Sequence, residues 1–379
     1  DMDIGKKIYL RNYNVLRKVY IFIYILLVMQ RAWGPFKAIT PFKLDALIFL
    51  GITTLGVVLI FYDLFSDKIL FKTQNVSWLC IFLISVFISS ILNINYGIMS
   101  NINSMILLSI EFFIFYAVDF NRSKIDVYKE IYQIEHFIMI VWFLSMLVTL
   151  WMFLEQSYYY IDLPENQFVR MGIIENRLFG IYNDPNYASI TSLIMIVFSV
   201  KNFKKDTNRF LKIFYTVNIF FMFIYIILSG SRTAEVALGI TVLVGAFFIF
   251  RCSFENMSKV KKVILSILCS VLSLVCIFIV YFLLKKGIAY LPSLFEGNDA
   301  GNTIRPVSFS RSDVEENSDI SNLRFKIWGS ALEVFRSKPI FGVSVKHIVA
   351  YARDNFPEGI IAVRGYTGHS FYVNVIACT

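Results

Sequence analysis

The chain has 379 residues, 57% of them apolar and only 17% charged, with 38 Phe and 21 Tyr. The apolar residues fall in blocks of about 20 rather than alternating with polar ones, which excludes an ordinary soluble domain and points to membrane-spanning helices. A net charge of +9 would suggest a nucleic-acid partner in a soluble protein, but here Lys and Arg gather between the apolar blocks, so no nucleic acid is expected.

In chain order the blocks lie at 19–33, 44–62, 76–92, 104–120, 134–154, 187–200, 210–228, 233–250 and 263–284. The first follows basic residues as a signal peptide would, but no small-residue cleavage site follows it, so it reads as the first span. A tenth helix is expected to begin at His369, with the sequence stopping inside it. The fold expected is therefore an all-α, polytopic membrane protein with nine spanning helices plus the start of a tenth. Residues 1–284 form the helices, 285–368 a loop domain and 369–379 the start of the last helix. The five cysteines show no paired metal-site spacing and are expected as free thiols.

Alternate connections differ in charge. Nineteen Lys and Arg fall in the amino-terminal segment and the connections near 68–72, 122–129, 201–212 and 251–262; the other short connections hold six, Arg31, Lys37, Lys43, Arg170, Arg177 and Arg232. Because basic residues are retained on the cytoplasmic side, the amino terminus is expected inside, with the protein multi-pass in the cytoplasmic membrane. The segment 285–368 then lies outside. Its first part, 297–322, is rich in Asn, Ser, Asp and Glu and is expected to be mobile; from 323 to 335, Leu323, Ile327, Trp328, Ala331, Leu332, Val334 and Phe335 recur at helical spacing. An amphipathic helix is expected there, on the outer membrane surface or over a cavity.

In this topology the sixth, eighth and tenth helices begin on the outer face, so their unpaired amides and positive dipole ends favour anions there. The sixth starts in Arg177-Leu-Phe-Gly-Ile-Tyr-Asn-Asp-Pro-Asn186, where Asn183 or Asp184 can cap and Pro185 suits the first helical position. The eighth starts in Ser229-Gly-Ser-Arg-Thr-Ala234, where Ser229 or Ser231 can cap beside Arg232. The tenth starts at Gly368-His369-Ser370. Taken singly, an arginine at a membrane boundary is most simply a headgroup contact. Two arginines and a histidine at three outward helix starts instead suggest a diphosphate site with a general base beside it.

The runs RLFGIYNDPNYAS, SGSRTA, LRFKIWGSALEVFRSKPIFGV and GHSFYVN, in that order, resemble the successive motifs of the O-antigen ligase and O-antigen polymerase superfamily, over about residue 170 to the end. Members are similar to C-type glycosyltransferases: multi-span enzymes that move an oligosaccharide from a polyprenyl diphosphate to an acceptor on the outer face of the cytoplasmic membrane, without a metal. The resemblance implies Arg177 and Arg232 as diphosphate-binding residues and His369 as the catalytic base, with Arg324 positioning donor or acceptor. Asn186 and Tyr187 join the substrate-positioning residues. No cofactor is implied. The partners implied are an undecaprenyl-diphosphate-linked oligosaccharide, a growing glycan acceptor, the bilayer, and a chain-length regulator and flippase. Ser370 departs from the asparagine common in relatives after the histidine.

Repeat-unit polymerase is the favoured activity, feeding capsule, exopolysaccharide or O-antigen; a ligase handing the glycan to another acceptor is the alternative. A lipid-linked saccharide flippase or transporter is the alternative of a different class, but it predicts paired halves and helices interrupted at midplane, which the sequence lacks. A metal-dependent transferase would want acidic ligands in the first outer loop, and Arg31 to Lys43 contains none. His136, His347 and His369 are too scattered for a zinc site. Glu111 is an intramembrane carboxylate with a functional or a bundle-stabilising role, Glu235 is expected to pair with Arg232 along its helix, and His136 has no expected role.

Overall fold

The computed structural model describes residues 2–39, 42–66, 75–116, 123–163, 167–294, 307–309, 323–367 and 370–378. Among the described residues, every apolar block lies on a helix. The helices are α1 (Met2–Gln30), α2 (Gly34–Ile39), α3 (Phe42–Ser66), α4 (Val76–Leu92), α5 (Met99–Ile110), α6 (Lys124–Leu154), α7 (Pro185–Lys205), α8 (Arg209–Ser229), α9 (Arg232–Ser253) and α10 (Lys259–Ile288). Four shorter helices follow: α11 (Arg324–Ser337), α12 (Ile348–Asn355), α13 (Ile360–Arg364) and α14 (Phe371–Cys378). The protein is thus a predominantly helical, polytopic membrane protein. Among the described residues seven helices are long and apolar enough to cross a membrane.

Two of the nine expected spans stand apart from those seven. Helix α4 has 17 residues, about 26 Å at the helical rise and short of a ~30 Å hydrocarbon core. Helix α7 has 21, but serines and asparagines interrupt its apolar run and Ser189, Ser192, Ser199 and Asn202 are buried. The serines are hydrogen-bonded within the bundle: Trp142 Nε1 donates to Ser192 Oγ (3.1 Å), Asn218 Nδ2 to Ser199 Oγ (2.8 Å), and Ser189 Oγ to the Asn186 carbonyl (3.0 Å), while Asn202 Nδ2 donates to Glu135 Oε2 (3.1 Å). Small residues let neighbouring helices approach closely and hydrogen-bond where lipid offers no partner.

The chain divides into two compact units. One comprises Asp1–Ile25, Phe42–Ile131 and Glu316–Thr379. Within it α5 widens into a π-helix over Glu111–Tyr116. The Ile114 carbonyl there accepts from Arg17 Nε (3.0 Å), and Arg17 also ion-pairs with Glu130 at 3.0 Å, both side chains buried. Glu111 accepts from Tyr24 Oη (3.3 Å), a bundle-stabilising bond. In the same unit α11 appears at the expected place. Its Ile327, Ala331 and Val334 pack with Val343, Ile348, Tyr351 and Ile361. The mobility expected of 297–322 falls almost wholly on residues outside those described.

The other unit comprises Leu26–Pro41 and Tyr132–Glu315. Its core joins α6, α7 and α8 through Met139, Trp142, Met146, Tyr182, Met195, Tyr215, Met222 and Tyr225. Helices α6 and α7 are joined by an element that hydropathy does not reveal: a three-stranded antiparallel sheet in order β1 (Tyr158–Leu163), β2 (Gln167–Ile174), β3 (Arg177–Gly180). Its inner face sets Val169 and Met171 against Met152. Glu175 and Asn176, both with positive φ (52° and 58°), make the two-residue turn between β2 and β3.

Candidate functional site

The sheet ends where the first motif begins. Arg177 opens β3, paired with Ile174 across the turn, and its side chain is only 6% exposed. The guanidinium is fixed at two points: Nε donates to the Ser229 carbonyl (2.8 Å) and an Nη to Asn186 Oδ1 (2.8 Å). One arginine therefore ties β3 to the start of α7 and to the end of α8. Both acceptors are neutral oxygens, and the two bonds orient the guanidinium.

Between Arg177 and α7 the chain turns through Gly180, at φ 61°, where a Cβ would stand 2.0 Å from Thr149 Cγ2. Both the backbone angle and the close approach require glycine. Tyr182 then inserts into the core, stacked on Trp142 at 4.7 Å with its hydroxyl 2.8 Å from Ser145 Oγ. Asn183 Nδ2 donates to the Arg31 carbonyl (2.9 Å). Of the two candidate caps, Asp184 acts: its carboxylate accepts from Asn186 N (2.7 Å), with Pro185 in the first turn. Tyr187 is 74% exposed, its ring free of the core.

The second motif makes the junction of α8 and α9. Ser229 Oγ accepts from Ser231 N (3.3 Å), and Ser231 caps α9 by accepting from Ala234 N (3.4 Å). Arg232 is the first residue of α9 and is exposed. The expected pairing of Glu235 with Arg232 gives way to a bond across helices, in which Tyr281 Oη of α10 donates to Glu235 Oε1 (2.5 Å). The carboxylate thus serves the α9–α10 contact, and the guanidinium of Arg232 stays turned outward.

The structure therefore brings Arg177, Asn186 and the Ser229–Arg232 turn together in one unit. Arg324 opens α11 in the other unit and is exposed. His369 lies outside the described residues. The link through the Ser229 carbonyl was not legible in the sequence, since a backbone acceptor leaves no residue-type signal.

Residues 217–379 match the family model described as O-antigen ligase. The match takes in Arg232, Arg324 and His369 and begins after Arg177, so the first motif connects to the matched region through the bond from Arg177 to the Ser229 carbonyl. No curated protein and no solved structure matches the chain. Residues 217–379 thus carry an O-antigen ligase family domain in a polytopic membrane protein, which supports a membrane enzyme of the polysaccharide polymerase or ligase type.

Proposed function

We propose that the protein polymerises lipid-linked oligosaccharide repeat units on the outer face of the cytoplasmic membrane, in the manner of a C-type glycosyltransferase. The amino terminus is cytoplasmic, and the nine helices of the bundle all span. The observation that carries the reading is Arg177, buried, doubly hydrogen-bonded and holding the start of α7 against the turn that presents Arg232. Two guanidinium groups near two helix starts suit the oxygens of an undecaprenyl diphosphate.

In this mechanism His369 removes the proton from an acceptor sugar hydroxyl, and the oxygen attacks the anomeric carbon of the donor. The bond from that carbon to the diphosphate oxygen breaks, and the diphosphate leaves with the electron pair. Arg177, Arg232 and the helix starts stabilise the charge that develops on it, with no metal needed for that work. A single displacement inverts the anomeric centre. Arg324 orients donor or acceptor.

The test is chain elongation by protein reconstituted with lipid-linked repeat units. Arg232→Ala and His369→Ala, each checked for insertion and folding, are expected to lower kcat about 100-fold or more. Normal rates in either would overturn the mechanism. A deletion strain separates polymerase from ligase: single repeats without long chains indicate the polymerase, and accumulated long lipid-linked chains the ligase favoured by the family's description.

A further inference from the structure

Near the arginine site stands a pair of cations that the mechanism above leaves without a task. Lys285 and Lys286 lie in the last turn of α10, which in the proposed orientation ends on the outer face, against the general retention of basic residues inside. A lysine at the carboxyl end of a helix complements the dipole, and either of the two would serve that purpose. Their surroundings differ. Ile277, Tyr281, Leu284 and Ile288 mark the face of α10 that packs on the core of its unit, and Tyr281 meets Phe223 of α8 edge-on (6.5 Å between centroids). Lys285 follows Tyr281 by one turn and is half-buried, its Nζ 5.9 Å from the Tyr281 ring centroid. Lys286, about 100° farther round the helix, is exposed.

Two contacts set the level of Lys285 against the arginine site. Helices α9 and α10 are joined by the short connection 254–258 and pack side by side, so they run antiparallel, and the bond from Tyr281 Oη to Glu235 Oε1 (2.5 Å) fixes their register. Arg232 stands three residues outward of Glu235, and Lys285 four residues outward of Tyr281, about 4.5 and 6 Å at the helical rise. On α8, which runs parallel to α10, Ser229 stands six residues outward of Phe223, about 9 Å. The three positions therefore fall within about one helical turn of a common level. Ser229 is the residue whose carbonyl holds Arg177 Nε, so α10 carries an ammonium to the level of both guanidinium groups.

The chemistry of the ligand gives that ammonium work. Asp184, the cap of α7, and Glu235, in the first turn of α9, bring negative charge into the same junction and offset part of the field of Arg177 and Arg232. Of the other arginines in this unit, Arg170 is ion-paired with Glu175 (3.6 Å), and the exposed Arg31 meets the start of α7 through its carbonyl, which accepts from Asn183 Nδ2 (2.9 Å). Lys285 stands on the opposite flank, beside α9. A lipid diphosphate presents two charged phosphate groups where a monophosphate presents one, and a lysine on a flexible stem suits the second as a point charge.

We propose that Lys285 is a third diphosphate-binding residue, reaching from α10 to one phosphate group while the arginines hold the other, and that it sets the preference for a diphosphate over a monophosphate carrier lipid. The proposal rests on the reading of Arg177 and Arg232 for the identity of the ligand. The probes are undecaprenyl diphosphate and undecaprenyl monophosphate, titrated into the full chain in nanodiscs and read by native mass spectrometry. Lys285→Ala is expected to weaken diphosphate binding about tenfold and monophosphate binding less than about threefold. Lys285→Arg, which keeps the charge, is expected to recover most of the loss, and Lys286→Ala to bind both lipids as wild type does. Wild-type diphosphate affinity in Lys285→Ala, a loss equal for both lipids, or an equal loss in Lys286→Ala would overturn the proposal. Arg232→Ala separates this outcome from failure of the arginine reading. Loss in Arg232→Ala alone sinks the proposal and leaves that reading standing; loss in Lys285→Ala alone sinks that reading and leaves Lys285 as a phosphate contact. Absence of diphosphate binding in wild type would overturn both.

Discussion

Single residues carry the geometry of the arginine site, and the least replaceable is the one with no side chain. Gly180→Ala would put a methyl group into Thr149 and hold alanine at φ 61°. A loss of about 2 kcal/mol or more is expected, read as a lowered midpoint of thermal unfolding in detergent. His347 gives a signed pH prediction. Its folded pKa is depressed by burial below the ordinary 6.5, so below about pH 6.5 the unfolded chain binds a proton that the folded chain resists. Stability is full above that pH and falls as pH drops through 6.5 toward the depressed value. Tyr96 stacks on the ring, with Tyr351 and Asp354 beside Tyr96, and Lys346 precedes His347 in the chain. Thermal unfolding between pH 7.5 and 5.5 should therefore show a steeper loss in wild type than in His347→Gln; equal slopes would assign the acid sensitivity elsewhere.

At the scale of elements, helix starts matter more than helix interiors. Asp184 and Ser231 cap α7 and α9, the two helices at which the arginines sit. Asp184→Ala is expected to cost about 1 kcal/mol. It should also loosen Asn186, the side-chain acceptor of Arg177, and so raise the donor KM in an elongation assay while an unrelated cap such as Asn208→Ala leaves KM unchanged. The caps were legible because residue types at helix starts follow from the need to satisfy free amides, though the sequence left two candidates for each. The sheet was not legible. Tyr158, Tyr159 and Tyr160 simply follow the fifth apolar block, and only the antiparallel pairing with β2, with Tyr160 opposite Arg170, makes them a strand. His136 shows the same limit: it bonds the Tyr132 carbonyl (2.7 Å) and Tyr215 Oη (2.5 Å), a partner 79 residues away.

For the whole molecule, the charge asymmetry predicts an orientation that one native cysteine can report. Cys252 is exposed beside Arg251, at the end of α9 in a basic connection expected to face the cytoplasm. A membrane-impermeant maleimide should label it in inside-out vesicles and not in intact spheroplasts; the opposite pattern would invert the topology and move Arg232 to the inner face. The sequence by itself determined the membrane class, the place of the nine apolar helices and of α11, the neighbourhood of each cap and the resemblance to the family, because hydropathy and helix-start chemistry are local properties written in residue order. Tertiary structure alone decided that Arg177 is bound to the Ser229 carbonyl, that Glu235 serves Tyr281 rather than Arg232, and that His347 meets Asn101 and Ser100 from more than 240 positions away. Those pairings join backbone atoms and distant side chains whose proximity depends on how the helices pack, and packing between helices is set by shape and by hydrogen bonds that no linear pattern records.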